Sequence, residues 1–325
     1  MTKNVVITGA CGFLGVNAVL AFARCGYRVW AADIVPPGPD LGRAWDEVQG
    51  AIEFVPLDVT NPRDWERLPS QEVGAVIHTA AVTSGDRDDR PSLTVKVNVQ
   101  GTMQALDWTD QSQIPRFIYI SSSSVYRGIE TEEPLNEALC LAPTTVYGRS
   151  KWAAEGFCEL YAHKMGLPVS IVRLPSLYGP WERPGSYRLQ LSPVYEMIQR
   201  GFERDVVRVG RVGNGQRDYT SAEDVGAVLV RLAGMREAPL RMNLSTGRMV
   251  APEELCQQLA SLMDARFELV DDAGADVLLT PTSGNQPMDT SRMQAAGLSM
   301  GPSLRENLAR TVQWFSHHYP MHHAQ

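Results

Sequence analysis

The chain has 325 residues and 44% hydrophobic content, which suit one large domain or two intimately joined ones with an ample core. Its formal charge of −7, without a basic stripe along the sequence, argues against a nucleic-acid partner. No apolar run approaches the roughly 18 residues of a membrane span, and a first strand predicted from Asn4 leaves no room for a signal peptide. The five scattered cysteines lack C-x-x-C spacing and predict reduced thiols in a cytoplasmic protein.

Residues 4–15, NVVITGACGFLG, predict a short buried strand, a glycine turn and the start of a helix. The glycines are spaced G-x-x-G-x-x-G: the first allows a tight turn, the second lets the backbone approach a pyrophosphate, and the third lets helix and strand pack closely. The N–H groups of the first helical turn then face the phosphates. The pattern predicts a dinucleotide-binding corner with the cofactor-binding residues Gly9, Gly12, Phe13, Leu14 and Gly15.

Asp33 ends the next apolar run, 18 residues after Gly15. A carboxylate at this place can accept hydrogen bonds from both ribose hydroxyls and repels a 2′-phosphate. No Lys or Arg follows within residues 34–36, so NAD is favoured over NADP as the cofactor. The alternative is a surface aspartate that merely ends a strand.

Two further strands are predicted to end at the same edge. Residues 52–57 end in Asp58, whose carboxylate contacts the adenine amino group or caps the helix that starts at Pro62. Residues 74–81 end in Ala80 and Ala81, small enough for a cofactor to lie across them. His78, just before them, is interpreted as a buried structural histidine. Val59, Ala80, Ala81 and Pro175 complete the predicted cofactor contacts.

Strands continue to alternate with helices through residues 98–120, and the strand at 116–120 opens into four serines. This alternation predicts an α/β fold with a doubly wound parallel sheet of the Rossmann type. Such sheets bind ligands outside the carboxyl ends of their strands, where the glycines, Asp33, Ala80 and the serines all fall.

Tyr147 and Lys151 lie four residues apart in YGRSK, so a helix that begins near Thr145 places them on one face. A phenol with an ordinary pKa of about 10 is a poor base near neutrality. A neighbouring ammonium favours the phenolate and brings the pKa toward the working range. The alternative is an ordinary solvated helix that carries a Tyr and a Lys.

The chain resembles the extended short-chain dehydrogenase/reductase family, in particular its NAD-dependent sugar-nucleotide epimerase/dehydratase branch. The matching segments are TGACGFLG at 8–15, Asp33, LDVT at 57–60, HTAA at 78–81, NVQGT at 98–102, SSSSVY at 121–126, YGRSK at 147–151, RLPSLYGP at 173–180 and RDYTSAEDV at 217–225. The resemblance implies that Tyr147 is the catalytic base and that Lys151 binds the nicotinamide ribose and tunes the tyrosine. The family's catalytic Ser/Thr falls on Ser122, with Ser123 as the fallback.

The resemblance also bears on the substrate. Dehydratases of the family follow the Ser/Thr with acidic residues, whereas Ser123 and Ser124 follow it here, so dehydration is not expected. Arg217 matches an arginine that meets a diphosphate, but the later Arg-Pro-Gly-Asp-like loop is replaced here by TSGNQ at 282–286, without the arginine. Ser176 stands where sugar-nucleotide enzymes commonly have Asn. The predicted substrate-binding residues are Thr83, Ser123, Ser176, Arg183, Arg188 and Arg217, where Arg183 or Arg188 holds a carboxylate or phosphate or is a solvated loop arginine.

Residues 1–175 are expected to form the NAD-binding domain and 176–325 mainly a smaller substrate-binding lobe, with 205–240 returning to the first domain. The family resemblance implies a homodimer through helices at 98–110 and 147–165. The histidines at 317–323 indicate a mobile terminus and no metal site, because no nearby Cys or carboxylate completes a ligand set.

The leading function is epimerisation of a sugar or nucleotide sugar: a hydroxyl carbon is oxidised, the ketone turns, and hydride returns to its other face. The rival enzyme is a net NAD-dependent dehydrogenase of a free sugar, sugar acid or small hydroxy compound, which Ser176 and the absent loop arginine favour. A non-catalytic NAD-binding sensor is a third reading, because a fold alone does not fix function.

Overall fold

The structure, a computed structural model, describes residues 4–48, 52–83, 91–184, 191–281, 286–301 and 303–318. Its strands are β1 (Asn4–Thr8), β2 (Arg28–Asp33), β3 (Ile52–Pro56), β4 (Val73–His78), β5 (Phe117–Ser122), β6 (Val169–Leu174), β7 (Ser176–Tyr178), β8 (Val206–Arg211), β9 (Arg217–Ser221), β10 (Arg241–Asn243), β11 (Met249–Val250), β12 (Arg266–Leu269) and β13 (Val277–Leu279). Its helices are α1 (Phe13–Arg24), α2 (Pro39–Asp46), α3 (Pro62–Trp65), α4 (Pro91–Val95), α5 (Gly101–Gln111), α6 (Val146–Leu160), α7 (Pro193–Glu203), α8 (Ala222–Gly234), α9 (Pro252–Ala260), α10 (Ser291–Ala295) and α11 (Leu304–His318).

The central sheet has seven parallel strands in the order β10-β6-β5-β4-β1-β2-β3. Its inner strands are buried on both faces, as their continuous apolar runs predict for a sheet covered by helices. The strand order reverses beside β1, and this reversal opens a crevice at the carboxyl ends of β1 and β4. The predicted doubly wound sheet of the Rossmann type is confirmed.

Local capping explains where the site-bearing helices begin. Thr145 is extended and its side chain accepts the N–H of Gly148 at 3.0 Å, so α6 starts at the next residue and carries Tyr147 in its first turn. Gly12 is the extended residue before α1, which leaves the first N–H groups of that helix directed away from its own backbone. The predicted start of a helix near Thr145 agrees with this arrangement.

The second half of the chain builds two three-stranded sheets, β11-β9-β7 and β12-β8-β13, and also returns to the central sheet. Helix α8 packs on α1 so closely that a Cβ on Gly226 would lie 2.8 Å from the carbonyl oxygen of Asn17. Strand β10 then pairs with β6. Within the range 205–240 expected to return, α8 packs on the first domain, whereas β8 pairs with β12 and β13 and β9 pairs with β11 and β7 in the small sheets.

Apolar cores lie on both faces of the central sheet, and a third core lies in the second half among α7, β8, α9 and α11. Within the described ranges, we find no helix with the length and apolar character that crossing a bilayer demands.

Candidate active site

A cavity of about 760 Å³ lies at the carboxyl ends of the central strands, within the usual range for small-molecule sites. Most of the site residues predicted from the sequence line it together. They are Gly9, Gly12, Phe13, Leu14, Gly15, Asp33, Asp58, Val59, Ala80, Ala81, Thr83, Ser122, Tyr147, Lys151, Pro175 and Arg183. Three others are not among its lining residues: Ser123, Ser176 and Arg217. Arg188 and residues 282–285 of the TSGNQ segment lie outside the described part of the chain.

The glycine turn has no room for side chains. Gly9 has φ +68°, and a Cβ there would lie 2.6 Å from the backbone nitrogen of Ala80. A Cβ on Gly15 would lie 1.9 Å from the carbonyl oxygen of Gly9. The bare backbone and the first turn of α1 therefore form a cradle of N–H groups at the cavity, which fits the pyrophosphate of a dinucleotide.

Asp33 organises this turn from the neighbouring strand. Its carboxylate accepts the N–H groups of Cys11 and Val35, both at 2.9 Å. Burial raises the pKa of this carboxyl group, while these backbone hydrogen bonds and the charge of Arg183 lower it. Because the carboxylate lines the cavity beside the turn, it is positioned for the ribose hydroxyls that the sequence assigned to it.

Asp58 stabilises the turn that follows β3. Its Oδ1 accepts hydrogen bonds from the N–H of Thr60 at 2.9 Å and from the hydroxyl of Thr60 at 2.8 Å. The α3 cap is Asn61, whose side chain accepts the N–H of Arg63 at 3.2 Å. The helix-cap alternative for Asp58 is therefore wrong, because Asn61 occupies that position. A contact between Asp58 and adenine stays a prediction.

Tyr147 and Lys151 face the cavity from one side of α6. The Lys151 ammonium lies 5.9 Å from the centre of the Tyr147 ring and 5.0 Å from that of Tyr119. It donates to the carbonyl oxygen of Ile120 at 2.8 Å and is 2% exposed. Burial lowers the pKa of Lys151 to about 8, so both protonation states are accessible near neutral pH.

Ser122 lies at the end of β5, where a short 3-10 turn, Ser123–Tyr126, begins. Its hydroxyl accepts the N–H of Ser124 at 3.1 Å and donates to the Ser124 hydroxyl at 3.2 Å. Ser122 lines the cavity with Tyr147, whereas Ser123 is buried and is not among the lining residues. The geometry therefore favours Ser122 over the fallback.

Asn98 is a further site residue that the sequence reasoning did not assign. It lies in a π-helical segment, Lys96–Gln100, where its side chain accepts the N–H of Val82 at 2.8 Å and donates to the carbonyl of Val82 at 3.1 Å. It also donates to the Ser150 hydroxyl at 3.0 Å, and that hydroxyl donates to the carbonyl of Tyr147 at 2.7 Å. Asn98 thus ties the cavity wall to α6, and its only sequence signal was its place in NVQGT.

His78 is fully buried at the end of β4, between the hydroxyls of Thr8 at 2.8 Å and Thr102 at 3.1 Å. Burial and the nearby charge of Lys151 lower its pKa to about 3, so the ring is neutral. The interpretation of His78 as a buried structural histidine is confirmed. Additional lining residues that the sequence reasoning missed include Thr60, Leu93, Lys96, Ile120, Leu174 and Leu177.

The predicted substrate residues are spread over different surroundings. Arg183 lies beside the glycine turn, with Nη2 3.5 Å from the carbonyl oxygen of Cys11. Ser176 is opposite Tyr219 in the β7–β9 pair. Arg217 is buried in β9, where its guanidinium donates to the carbonyl oxygen of Thr280 and, at 2.6 Å, to the Thr280 hydroxyl. The substrate roles of these residues stay predictions.

A metal ion would need a group of His, Cys, Asp or Glu side chains. Among the residues that the structure describes, no such group of three or more occurs. His317 and His318 end α11, whereas the remaining histidines of the tail, in residues 319–325, lie outside the described residues.

The parallel sheet, the glycine cradle and the Ser, Tyr and Lys side chains on one cavity define a dinucleotide-dependent oxidoreductase site. The chain belongs to the NAD dependent epimerase/dehydratase family, whose model matches residues 5–244. It is accordingly an NAD-dependent enzyme of this family, as predicted, with NAD as its cofactor.

Relatives extend over nearly the whole chain. A putative UDP-glucose 4-epimerase of Methanocaldococcus jannaschii is 24% identical over 95% of this chain and 97% of its own length. A UDP-glucuronate 4-epimerase of Thermodesulfobacterium geofontis is 26% identical over 95% of both chains.

Solved structures share the fold. The UDP-glucose 4-epimerase of Thermotoga maritima with UDP-glucose superposes with a TM-score of 0.81 at 23% identity, over 97% of this chain and 99% of that one. The UDP-glucose 4-epimerase of Thermus thermophilus in complex with NAD has a TM-score of 0.79 at 21% identity, over 96% and 99% of the two chains.

Proposed function

We propose that this chain is an NAD-dependent epimerase of a nucleotide sugar, which acts by transient oxidation of a carbon that carries a hydroxyl group. The observation that carries the proposal is the shared cavity: Ser122, Tyr147 and Lys151 line the same space as the glycine turn and Asp33. The relatives named as 4-epimerases of UDP-glucose and UDP-glucuronate supply the substrate class.

In the proposed reaction, Tyr147 is the general base. Its phenolate takes the proton of the substrate hydroxyl, and the Lys151 ammonium one helical turn away favours that phenolate. The Ser122 hydroxyl donates a hydrogen bond to the substrate oxygen and holds it toward Tyr147. NAD, when bound, would accept the hydride from that carbon and give it back to the opposite face of the ketone. With the hydride returned, the proton from Tyr147 completes the epimeric alcohol, so the enzyme ends each turnover in its starting state.

Epimerisation is favoured over dehydration by the residues next to Ser122. Expulsion of water requires a general acid and base near the sugar. Among the described lining residues the carboxylates are Asp33 and Asp58, which lie on the β2 and β3 side of the glycine turn, whereas serines follow Ser122. Within the described lining, no carboxyl group therefore lies beside Ser122 to eliminate water from a ketone formed there, which favours its reduction.

We propose that the substrate contacts Thr83, Ser176 and Arg217. Arg183 and Arg188 are proposed to bind a carboxylate or phosphate group of the substrate. Thr83 and Arg183 line the cavity, which supports their contact with a ligand. An arginine that faces a hexuronate carboxylate would form paired hydrogen bonds with it. UDP-glucuronate is therefore the first substrate to test, beside UDP-glucose as its uncharged counterpart.

A net dehydrogenase of a free sugar, sugar acid or small hydroxy compound is the second candidate. The engagement of Arg217 by Thr280 favours it, since a guanidinium committed to the protein is less available to a diphosphate. Product chromatography after incubation with NAD separates the two functions. An epimer formed from a UDP-sugar supports the first proposal. Accumulation of NADH with a free compound, and no epimer from any UDP-sugar, refutes it.

We propose a homodimer through the helices at 98–110 and 147–165. Exposed apolar side chains on the second helix and the segment after it support this: Trp152, Leu160 and Met165. Trp152→Glu should convert the dimer to a monomer in light scattering, since it replaces an exposed apolar side chain of the proposed interface with a charge. A monomeric wild-type protein would refute the dimer.

A cytoplasmic location is proposed because all five cysteines are free thiols, as is usual in reducing compartments. The division into residues 1–175 and 176–325 is proposed as well. The cores support it, because the third core consists of Tyr178 and residues that follow it, but α8 and β10 of the second part pack with the first.

A further inference from the structure

We infer that Glu155 and Arg173 form a buried ion pair without net charge, and that this pair holds Lys151 and Ser122 in place. Glu155 and Arg173 are therefore positioning residues for the proposed reaction. The inference rests on the proposed function, because Lys151 and Ser122 are its reacting partners. Glu155 lies on α6 one turn after Lys151 and is 1% exposed, and Arg173 lies on β6 and is fully buried. Arg173 Nε donates to Glu155 Oε1 at 2.9 Å and Nη2 to Oε2 at 2.6 Å, a two-point contact.

The pair binds α6 to the strand that carries Ser122. Ser121 donates its hydroxyl to Glu155 Oε1 at 2.5 Å, and in the β5–β6 register it lies opposite Arg173. One residue earlier on β5, the carbonyl of Ile120 holds the Lys151 ammonium at 2.8 Å. The end of β5 is therefore attached to α6 at two successive residues. These two hydrogen bonds fix the position of Ser122, the next residue of β5, relative to Lys151.

Most titratable groups packed around Lys151 are neutral. Burial, with the charge of Lys151, lowers the pKa of His78 on β4 to about 3, and burial raises the pKa values of Tyr119 on β5 and Cys158 on α6 well above their ordinary range. Tyr126, which accepts from Arg173 Nη1 at 2.8 Å, has its pKa raised by burial to about 12. These groups therefore carry no charge at neutral pH.

The charged groups near Lys151 are consequently Glu155 and Arg173, with Arg241 and Lys96 at a greater distance or at the cavity surface. Burial lowers the pKa of Lys151, and Cys158 and Glu155 oppose this lowering. Because the Cys158 thiol is neutral near pH 7, Glu155 is the charged contributor, and Arg173 compensates its carboxylate in the pair. Arg241 contributes weakly, since its Nε lies 3.8 Å from Glu155 Oε2 and it also pairs with Glu159. Lys96, on the adjoining π-helical segment, is exposed at the cavity. The balance between Glu155 and Arg173 thus sets the local field at Lys151 and Tyr147.

Removing one partner at a time should move the pH profile of kcat/KM in opposite directions. Arg173→Gln leaves a carboxylate, which favours protonated Lys151 and Tyr147, so both limbs should move to higher pH by about one pH unit. Glu155→Gln leaves a guanidinium and should move them to lower pH by a similar amount. The double variant E155Q/R173Q should return to the wild-type pH profile.

Arg173→Lys is the matched control for geometry. It keeps the charge but loses the planar two-point contact, so kcat should fall while the pH profile stays in place. A purely structural pair would lower activity in every variant without displacing the profile. Opposite displacements therefore distinguish positioning of charge from structural support.

Activity is measured with the UDP-sugar that the wild-type enzyme converts, and circular dichroism identifies the folded variants. A second readout is the titration of the Tyr147 phenolate by its absorbance in the cofactor-free protein. The absorbance of the same variant carrying Tyr147→Phe is subtracted to isolate the signal of Tyr147. The inference would be overturned if the pH profiles of folded Arg173→Gln and Glu155→Gln moved in the same direction, or if neither profile moved. If one single variant does not fold, the other single variant decides: a displacement in its expected direction, with a wild-type profile in E155Q/R173Q, supports the inference, and an undisplaced or oppositely displaced profile overturns it. A wild-type enzyme that converts no UDP-sugar refutes the proposed function alone, because the phenolate titration still tests the pair.

Discussion

Gly15→Ala tests whether the glycine turn is built to hold NAD. A Cβ at Gly15 would lie 1.9 Å from the carbonyl oxygen of Gly9, against a limit of 3.0 Å for real Cβ contacts, so backbone must move by about 1.1 Å (3.0 − 1.9). The atom in the way belongs to the backbone of the turn itself, so no flexible side chain can absorb the displacement. Movement of about 1 Å in a positioned group costs on the order of 100-fold in function.

We therefore expect the dissociation constant for NAD, measured by isothermal titration calorimetry, to rise at least about tenfold in Gly15→Ala. Gly156→Ala is the matched control, since Gly156 also lies in a helix and its Cβ would meet nothing within 4 Å. Alanine should stabilise that helix by up to about 1 kcal/mol and leave NAD binding unchanged. Unaltered NAD affinity in a folded Gly15→Ala protein would refute the role of the turn.

Three further predictions concern the reacting groups and a buried acid. Tyr147→Phe should abolish turnover in a substrate assay while calorimetry still detects NAD binding; retained turnover would exclude Tyr147 as the base. Because burial lowers the pKa of Lys151 to about 8 and the ammonium form supports the phenolate, kcat should fall as pH rises through about 8, and a flat profile to pH 10 would contradict that role. Burial raises the pKa of Asp218 to about 6, so the folded state prefers the protonated carboxyl group, and stability should fall by about 3 kcal/mol as pH rises from about 4 to about 6. Asp218→Asn should remove this component in urea unfolding, and an unchanged pH dependence would exclude it.

Local patterns in the sequence predicted the cofactor half of the site. The glycine spacing, Asp33 and the Tyr147–Lys151 pair depend on the geometry of one turn or one helix, which is readable from neighbouring residues. The choice between Ser122 and Ser123 required the structure, because the 3-10 turn after β5 decides which serine faces the cavity.

Long-range partners explain what the sequence did not reveal. The contact of Asn98 with Ser150 spans 52 residues, and that of Arg217 with Thr280 spans 63. Neither side chain carries a local pattern that predicts its partner. Strand β8 likewise joins a small sheet because of β12 and β13, which follow it by many residues.

The central claim is that hydride leaves a substrate carbon and returns to the same carbon. The most direct test uses UDP-glucose and UDP-glucuronate that carry deuterium at C4, with NAD, and mass spectrometry of the epimer formed. The proposed function predicts an epimer that retains its deuterium, with no accumulation of NADH. An epimer that has exchanged deuterium for solvent hydrogen, or steady release of reduced cofactor without an epimer, would contradict it.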